Sequence, residues 1–281
     1  MRLRSIAIEA GGREARLDAY LLDNTPAIDP NRARPAILIL PGGGYAETSD
    51  REAEPIAVTM LSFGYQAFVL RYSVAPARYP TALMQVAHAM QWIRTHADEC
   101  HVRTDAIMVA GFSADGHLAT DFCIESSGKA LADAGYLAAD IRPNGLVLGY
   151  PVISSGRYAH RASFDRLLGP GVADDPSALA HVSLELRVDE RTPMPPVFLF
   201  HTMSDPSVPV ENSLLLLDAL HRAGVEVEAH LFPTGRHGVA LGSRESMYDD
   251  GTGVERCVQV WPALFHRWAV DRFEGGDGLQ P

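Results

Sequence analysis

The chain has 281 residues, of which 47% are hydrophobic and 24 are glycine, so it is long enough to bury a large core in one α/β domain of ordinary size. Its formal net charge of −11 argues against a nucleic acid or an anionic membrane surface as partner, because both attract basic surfaces. No apolar run approaches the roughly 18 residues that a membrane-spanning helix needs.

The amino terminus and the cysteines indicate a reducing compartment. Residues 1–10 include arginines, but no apolar stretch of about 7–15 residues follows them, so no secretory signal is predicted. The three cysteines, Cys100, Cys123 and Cys257, are an odd number with no close pairing. We expect reduced thiols and a cytoplasmic protein, although the mature form of a secreted protein would show the same amino terminus.

Strand and helix patterns alternate along the chain. Residues 4–9 and 15–22 alternate around Gly11-Gly12, which predicts a hairpin. Continuous apolar runs predict buried strands at 36–40, 67–70, 106–110, 146–148 and 197–200, with a last strand at 225–232. Helical periods lie between them, at about 52–63, 80–98, 115–124, 210–223 and 255–270. The alternation predicts a single α/β domain over 1–281, with a mostly parallel central sheet and helices on both faces.

A glycine-rich turn, Pro41-Gly-Gly-Gly-Tyr45, directly follows the strand at 36–40. Its glycines let backbone N–H groups approach a ligand with no Cβ in the way. The N–H groups of Gly43, Gly44 and Ala114 are the candidate donors of an oxyanion hole, which would stabilise the negative oxygen of a tetrahedral intermediate. Taken alone, the same glycines would equally make a plain turn after a strand.

The strand at 106–110 runs into Gly111-Phe-Ser113 and straight on into a helical pattern. Such a tight strand-to-helix turn presents one serine hydroxyl at the top of a sheet. Because a serine hydroxyl is a poor nucleophile by itself, Ser113 needs a base and an orienting carboxylate.

Candidates for both partners follow the last two strands. Asp205 lies in a loop after the strand at 197–200, and His237 lies in a glycine-flanked loop after the final strand. The order Ser113, Asp205, His237 is that of α/β-hydrolases. His237 would take the serine proton and Asp205 would orient the imidazole. Two other histidines are weaker candidates: His117 is expected to pack or cap, and His201 is a candidate cleft-wall residue.

The segment at about 154–196 has prolines, glycines and charges without a long period. It predicts short helices and loops inserted between two strands. Such an insert at the carboxyl edge of a sheet commonly builds a cap or one wall of a substrate cleft.

These motifs resemble those of the α/β-hydrolase esterases grouped with acetyl xylan esterases and with xylanase-B-like and feruloyl-esterase-like hydrolases. The matching stretches span about residues 36–240 and include Pro41–Tyr45, Arg71-Tyr72, Gly111–Ala114, Gly116–Leu118, Tyr150–Ile153, Leu167–Gly169, Asp205–Ser213 and Gly235–Gly238. The resemblance implies an α/β-hydrolase fold and hydrolysis of short acyl esters, such as acetyl groups on xylo-oligosaccharides. It also implies a small-molecule ester as the substrate, with no metal or organic cofactor.

The chain departs from the family pattern at Asp115, where a glycine is expected two residues after the serine. The favoured interpretation is an outward carboxylate that interacts with the dipole at the start of the helix. The other is a carboxylate that points into the cleft and favours the charged form of His237.

Two alternatives to a serine esterase stay open. One is a serine peptidase or another α/β-hydrolase, although no feature marks a peptide pocket. The other is a non-catalytic α/β-hydrolase that binds a ligand, for which Asp115 is the only argument. A binding protein has no need of a serine, a histidine and an aspartate together, so the esterase is favoured.

Overall fold

The computed structural model describes residues 1–273, so the last residues of the predicted domain, 274–281, lie outside the described part. Eight strands form one sheet in the order β1-β2-β4-β3-β5-β6-β7-β8. The strands are β1 Arg2–Ala10, β2 Arg13–Leu21, β3 Arg34–Leu40, β4 Gln66–Arg71, β5 Val102–Phe112, β6 Gly145–Gly149, β7 Val197–Thr202 and β8 Val227–Phe232.

The sheet is antiparallel at one edge and parallel elsewhere. β1 and β2 form the predicted hairpin, and Gly11 and Gly12 have φ values of +62° and +72°. A two-residue hairpin turn of this kind needs positive φ at both positions, which glycine supplies without strain. β2 pairs antiparallel with β4, and β4, β3, β5, β6, β7 and β8 then run parallel. The predicted mostly parallel sheet is confirmed.

Helices cover both faces of the sheet, as predicted. Those described are α1 Glu54–Ser62, α2 Thr81–Thr95, α3 Ala97–Cys100, α4 Ala114–Glu125, α5 Lys129–Asp133, α6 Ala138–Ile141, α7 Arg161–Leu168, α8 Pro176–His181, α9 Glu211–Arg222 and α10 Trp261–Phe273. Leu38 and Leu40 of β3 belong to one buried cluster with residues of α2, α4 and α9, whereas Ile37 and Ile39 belong to a second cluster with residues of α1 and α10. Alternate residues of one strand therefore feed two separate cores.

Some predicted helix boundaries were wrong. The run at 80–98 is two helices, α2 and α3, with His96 between them, and α5 and α6 were not predicted. The helix predicted from 255 begins at Trp261, where Pro262 occupies the first turn. Proline is tolerated there because its missing N–H would have no helical partner in any case.

The connection between β6 and β7 contains α7 and α8 and is tied to α4. Arg187 Nη1 donates to Asp121 Oδ1 at 2.6 Å and its Nη2 donates to Glu125, both on α4. Among residues 1–273, none of the helices combines the length and apolar character that crossing a bilayer requires.

Candidate active site

Ser113 stands in the sharp turn between β5 and α4. Its φ of 56° and ψ of −123° lie in a region that non-glycine residues rarely occupy, so the turn is strained. A Cβ at position 111 would come within 2.0 Å of the Asp115 carbonyl oxygen, and one at position 116 within 2.4 Å of Pro151 Cβ. Close packing of this turn therefore requires Gly111 and Gly116, and it does not require a glycine at 115.

The structure brings the three predicted triad residues together. The distance from Ser113 Oγ to His237 Nε2 is 2.6 Å, and that from His237 Nδ1 to Asp205 Oδ2 is 2.7 Å. The residues follow β5, β7 and β8, whose carboxyl ends lie at one edge of the sheet. Ser113 is 8% exposed and the His237 side chain 20% exposed, so the relay lies at a partly open surface.

Asp205 is held as an ionised carboxylate. Its Oδ1 accepts hydrogen bonds from the backbone N–H groups of Ser207 and Val208, each at 2.9 Å. Burial alone would raise the pKa of Asp205, but interactions with His201 and His237 outweigh it and hold that pKa well below its usual range. His201 Nε2 lies 3.4 Å from Asp205 Oδ2, and its side chain is fully buried. The expectation that His201 forms a cleft wall is wrong; it supports Asp205 from behind.

The glycine turn after β3 presents two N–H groups without protein acceptors. Gly43 and Gly44 have positive φ, +148° and +63°, and within residues 1–273 no protein group accepts their N–H hydrogens. The Gly42 N–H is already used, because it donates to Glu52 Oε2 at 2.8 Å. Ala114 is the first residue of α4, where backbone N–H groups have no helical partner. All three predicted oxyanion donors thus lie in segments next to Ser113.

One face of α7 and the residue before it lie against the glycine turn. Arg166 Nη1 donates to the Gly44 carbonyl oxygen at 3.2 Å, and His160 Nδ1 lies 2.8 Å from Ser163 Oγ. A Cβ on Gly44 would lie 3.0 Å from Arg166 Nη1 and 4.0 Å from His160 Cε1. Burial lowers the pKa of His160, and the neighbouring His237 acts in the same direction, which favours neutral His160. The sequence analysis missed these residues because the insert shows no regular period.

A tyrosine and two arginines hold the loop that carries His237. Tyr248 donates its hydroxyl to the His237 carbonyl oxygen at 2.9 Å. The guanidinium groups of Arg51 and Arg236 lie 3.5 Å and 4.0 Å from the centre of the Tyr248 ring. Cation–π contacts of this kind fix the ring in place. No motif in the sequence signals this arrangement, which joins residues from three separate segments.

His117 has a structural role, as expected. Its Nδ1 lies 2.9 Å from the Tyr45 hydroxyl and its Nε2 lies 2.8 Å from the Val182 carbonyl oxygen. Burial lowers the pKa of His117 to about 4, so the ring is neutral at pH 7. It joins α4 to the glycine turn on one side and to the insert on the other.

The position of Asp115 in the structure contradicts both interpretations of this departure from the family pattern. Its side chain is fully buried, so it neither points outward at the helix start nor lies in an open cleft, and neither oxygen has a hydrogen-bond partner. Burial raises the pKa of the Asp115 carboxyl well above its usual range, and only the Tyr72 hydroxyl opposes this, without a hydrogen bond of ordinary geometry. Burial therefore favours the uncharged form of this carboxyl.

A pH-dependent stability difference tests the burial of Asp115. In the unfolded chain this carboxyl ionises at its ordinary pKa of about 4, which favours unfolding increasingly as the pH rises. Asp115→Asn removes the ionisation. We expect its free energy of unfolding, relative to that of the wild type, to increase between pH 4 and pH 8, measured by urea denaturation. A difference that stays constant over this range would mean that Asp115 is charged in the folded protein.

A cavity of about 820 Å³ lies away from the triad. It is lined on one side by Glu54 and Val58 of α1 and on another by Leu241 and Gln259, and none of the triad residues lines it. We place the candidate active site at Ser113 because the two hydrogen bonds of the relay define a chemistry, which cavity size alone does not. Within residues 1–273, no group of three or more His, Cys, Asp or Glu side chains is arranged to hold a metal ion.

Comparisons with known proteins agree with the fold and show the family of the chain. The BD-FAE family model matches residues 18–220. The chain is 32% identical to endo-1,4-beta-xylanase B of Butyrivibrio fibrisolvens over 75% of its own length, but it spans only 33% of that protein. An acetyl ester-xyloside bifunctional hydrolase from Caldicellulosiruptor lactoaceticus is 36% identical, with a TM-score of 0.74, covering 90% of this chain and 86% of that one. A carboxylesterase from Lactobacillus plantarum is 28% identical, with a TM-score of 0.85, covering 99% of this chain and 100% of that one.

Proposed function

Because the chain belongs to the BD-FAE family of α/β-hydrolases, we propose that it is a serine esterase that hydrolyses short-chain acyl esters. The observation that carries the proposal is the continuous hydrogen-bond relay from Ser113 through His237 to Asp205, with distances of 2.6 Å and 2.7 Å. Ser113 is the nucleophile, His237 the general base and acid, and Asp205 the orienting carboxylate.

The reaction follows from this geometry. Ser113 Oγ attacks the ester carbonyl carbon while His237 Nε2 takes the hydroxyl proton, and Asp205 stabilises the imidazolium that forms. The N–H groups of Gly43, Gly44 and Ala114 stabilise the negative oxygen of the tetrahedral intermediate. The intermediate expels the alcohol, which takes the proton from His237 and leaves an acyl-Ser113 ester. Water, activated by His237, then releases the acid and restores the serine.

We propose acetyl groups on carbohydrates, such as xylo-oligosaccharides, as the substrate class. The related hydrolase from Caldicellulosiruptor lactoaceticus is described as acting on acetyl esters and xylosides. In this chain, the insert at about 154–196 would form one wall of the cleft, because His160, Ser163 and Arg166 lie against the turn at Gly44. These polar side chains suit a hydroxylated alcohol better than an apolar one.

A panel of p-nitrophenyl esters tests the acyl preference. We expect kcat/KM for the acetyl ester to exceed that for acyl chains longer than about eight carbons by roughly tenfold or more, because a polar wall gains little from added methylenes. Acetate release from acetylated xylo-oligosaccharides tests whether a carbohydrate serves as the alcohol part of the ester, with the Ser113→Ala variant as the background control. We expect a metal chelator to leave the rates unchanged. A preference for long chains, or a requirement for zinc, would contradict the proposal.

The same panel separates the alternatives. A non-catalytic ligand-binding protein would hydrolyse none of these esters. A serine peptidase would hydrolyse short peptide anilides at rates comparable to those of the esters, whereas the proposed esterase would not.

A further inference from the structure

The strongest feature outside the triad is the buried carboxylate of Glu52. Only 3% of this residue is exposed, yet both of its oxygens have partners: Oε2 accepts from the Gly42 N–H at 2.8 Å, and Oε1 accepts from the Tyr150 hydroxyl at 2.7 Å. Burial of a carboxylate costs free energy unless its oxygens are hydrogen-bonded, and these two hydrogen bonds meet that requirement. Glu52 therefore holds the first glycine of the oxyanion turn directly.

Very little space separates Glu52 from the nucleophile. A Cβ at position 42 would lie 2.6 Å from Glu52 Oε2 and 3.0 Å from Ser113 Cβ. Gly42 is thus packed between the carboxylate and the serine, and no side chain fits there. A shift of the Glu52 carboxylate would be transmitted to Gly42 and to Gly43 and Gly44, whose N–H groups are the proposed oxyanion donors.

The contact continues from Glu52 to the loop that carries the base. The Tyr150 hydroxyl accepts from the Ala240 N–H at 2.9 Å, three residues after His237. The Tyr150 ring also meets the His237 ring edge-on, with centroids 5.3 Å apart. We call the hydrogen-bonded series Gly42, Glu52, Tyr150 and Ala240 the Glu52 bridge. It joins the glycine turn at 42–44 to the loop that carries His237.

Arg51, the residue before Glu52, also binds the loop that carries His237. Arg51 Nε donates to the Ser246 carbonyl oxygen at 2.9 Å, and Arg51 Nη2 donates to the Gly238 carbonyl oxygen. Arg51 therefore binds the loop that carries His237 directly, and Glu52, in the same 3₁₀ turn Asp50–Glu52, reaches that loop through Tyr150. Such a turn can set the relative position of two loops that are distant in sequence.

We propose that Glu52 is a positioning residue of the esterase reaction, which fixes the oxyanion donors relative to the base through the Glu52 bridge. The inference rests on the proposed esterase function. Glu52 does not touch the reacting atoms and acts through Gly42 and Tyr150. A misplacement of about 1 Å can cost as much as 10²-fold in rate, so a carboxylate that fixes both loops contributes to kcat rather than to substrate binding.

The test compares Glu52→Gln with Glu125→Gln, with p-nitrophenyl acetate as substrate. An amide cannot accept from both Gly42 and Tyr150, because one of its ends is a donor. We expect Glu52→Gln to lower kcat about 10- to 100-fold with KM changed less than about threefold, and to weaken inhibition by methyl trifluoromethyl ketone by the same factor as kcat/KM. Glu125 is a buried carboxylate paired with Arg187 away from the triad, so Glu125→Gln should lose stability but keep kcat within about twofold.

Amide hydrogen exchange gives a readout that does not depend on turnover. We expect Glu52→Gln to accelerate exchange in both segments 42–44 and 238–241, and Glu125→Gln to accelerate it in neither. If Glu52→Gln does not fold, Tyr150→Phe serves as the second variant, and exchange should then increase only in 238–241.

The outcomes are separable. An unchanged kcat in Glu52→Gln, a loss carried entirely by KM, or unchanged exchange in both segments would overturn the inference. A wild-type protein that hydrolyses no ester would instead contradict the proposed function, and the exchange comparison would still show whether Glu52 fixes the two loops.

Discussion

Replacing Ser113 by alanine is expected to lower kcat for acetyl esters by about 10³- to 10⁶-fold while the fold stays intact. The reason is that Ser113 Oγ, which lies 2.6 Å from His237 Nε2, is the proposed nucleophile that forms the acyl bond. We expect His237→Ala to fall to a similar level, because the members of a triad act as a unit. The measurement is kcat for p-nitrophenyl acetate, together with the melting temperature.

Ser126→Ala is the matched control for this variant. Ser126 is a buried serine at the carboxyl end of α4, where its hydroxyl donates to the Cys123 carbonyl oxygen. The same atom is removed in both variants, but only Ser113 lies at the relay. Retention of more than about a tenth of the wild-type kcat in Ser113→Ala would refute the nucleophile assignment.

Asp205→Asn is expected to lower kcat by about 10²- to 10⁴-fold. The carboxylate accepts from Ser207 and Val208 on one oxygen and from His237 Nδ1 on the other. An asparagine can accept at only one end, so if its oxygen stays with the backbone donors, its amide group faces His237 and favours the wrong tautomer. The measurement is again kcat for p-nitrophenyl acetate. A wild-type kcat would mean that another carboxylate orients the base.

Asp18→Asn controls for the loss of a buried carboxylate, because Asp18 is also a buried residue but lies on β2, away from the triad. Stability gives a second comparison. Because the folded-state pKa of Asp205 is lowered, its contribution to the free energy of unfolding is present above about pH 4 and is lost as the pH falls below that value. We therefore expect Asp205→Asn to show a weaker loss of stability between pH 4 and pH 2 than the wild type.

The sheet and the grouping of Ser113, Asp205 and His237 could be predicted from the sequence because both depend on local signals at strand ends. Apolar runs of three to five residues marked the buried strands; Ser113 and Asp205 each follow such a run, and His237 follows the predicted last strand. In a parallel sheet those ends meet at one edge, so positions far apart along the chain could be placed together without knowing the packing.

The residues that the sequence missed depend on long-range contacts. Glu52 lies at the start of a predicted helix, where a glutamate is ordinarily a solvated first-turn acid, and its partners Gly42 and Tyr150 are known only from the fold. Asp115 was expected to point outward for the same reason, but the side chain faces the interior. His160 and Arg166 lie in a segment without a regular period, so neither their helix nor the surface against which it packs could be predicted.

Covalent trapping tests the central claim most directly, because it identifies the nucleophile without a mutation. The intact protein would be treated with an aryl phosphonate ester and then digested, and the peptides would be analysed by mass spectrometry. We expect a single phosphonyl group on Ser113, with ester hydrolysis lost in proportion to the modified fraction and with much slower modification in Asp205→Asn. Modification at another residue, or full hydrolysis by protein modified at Ser113, would contradict the central claim.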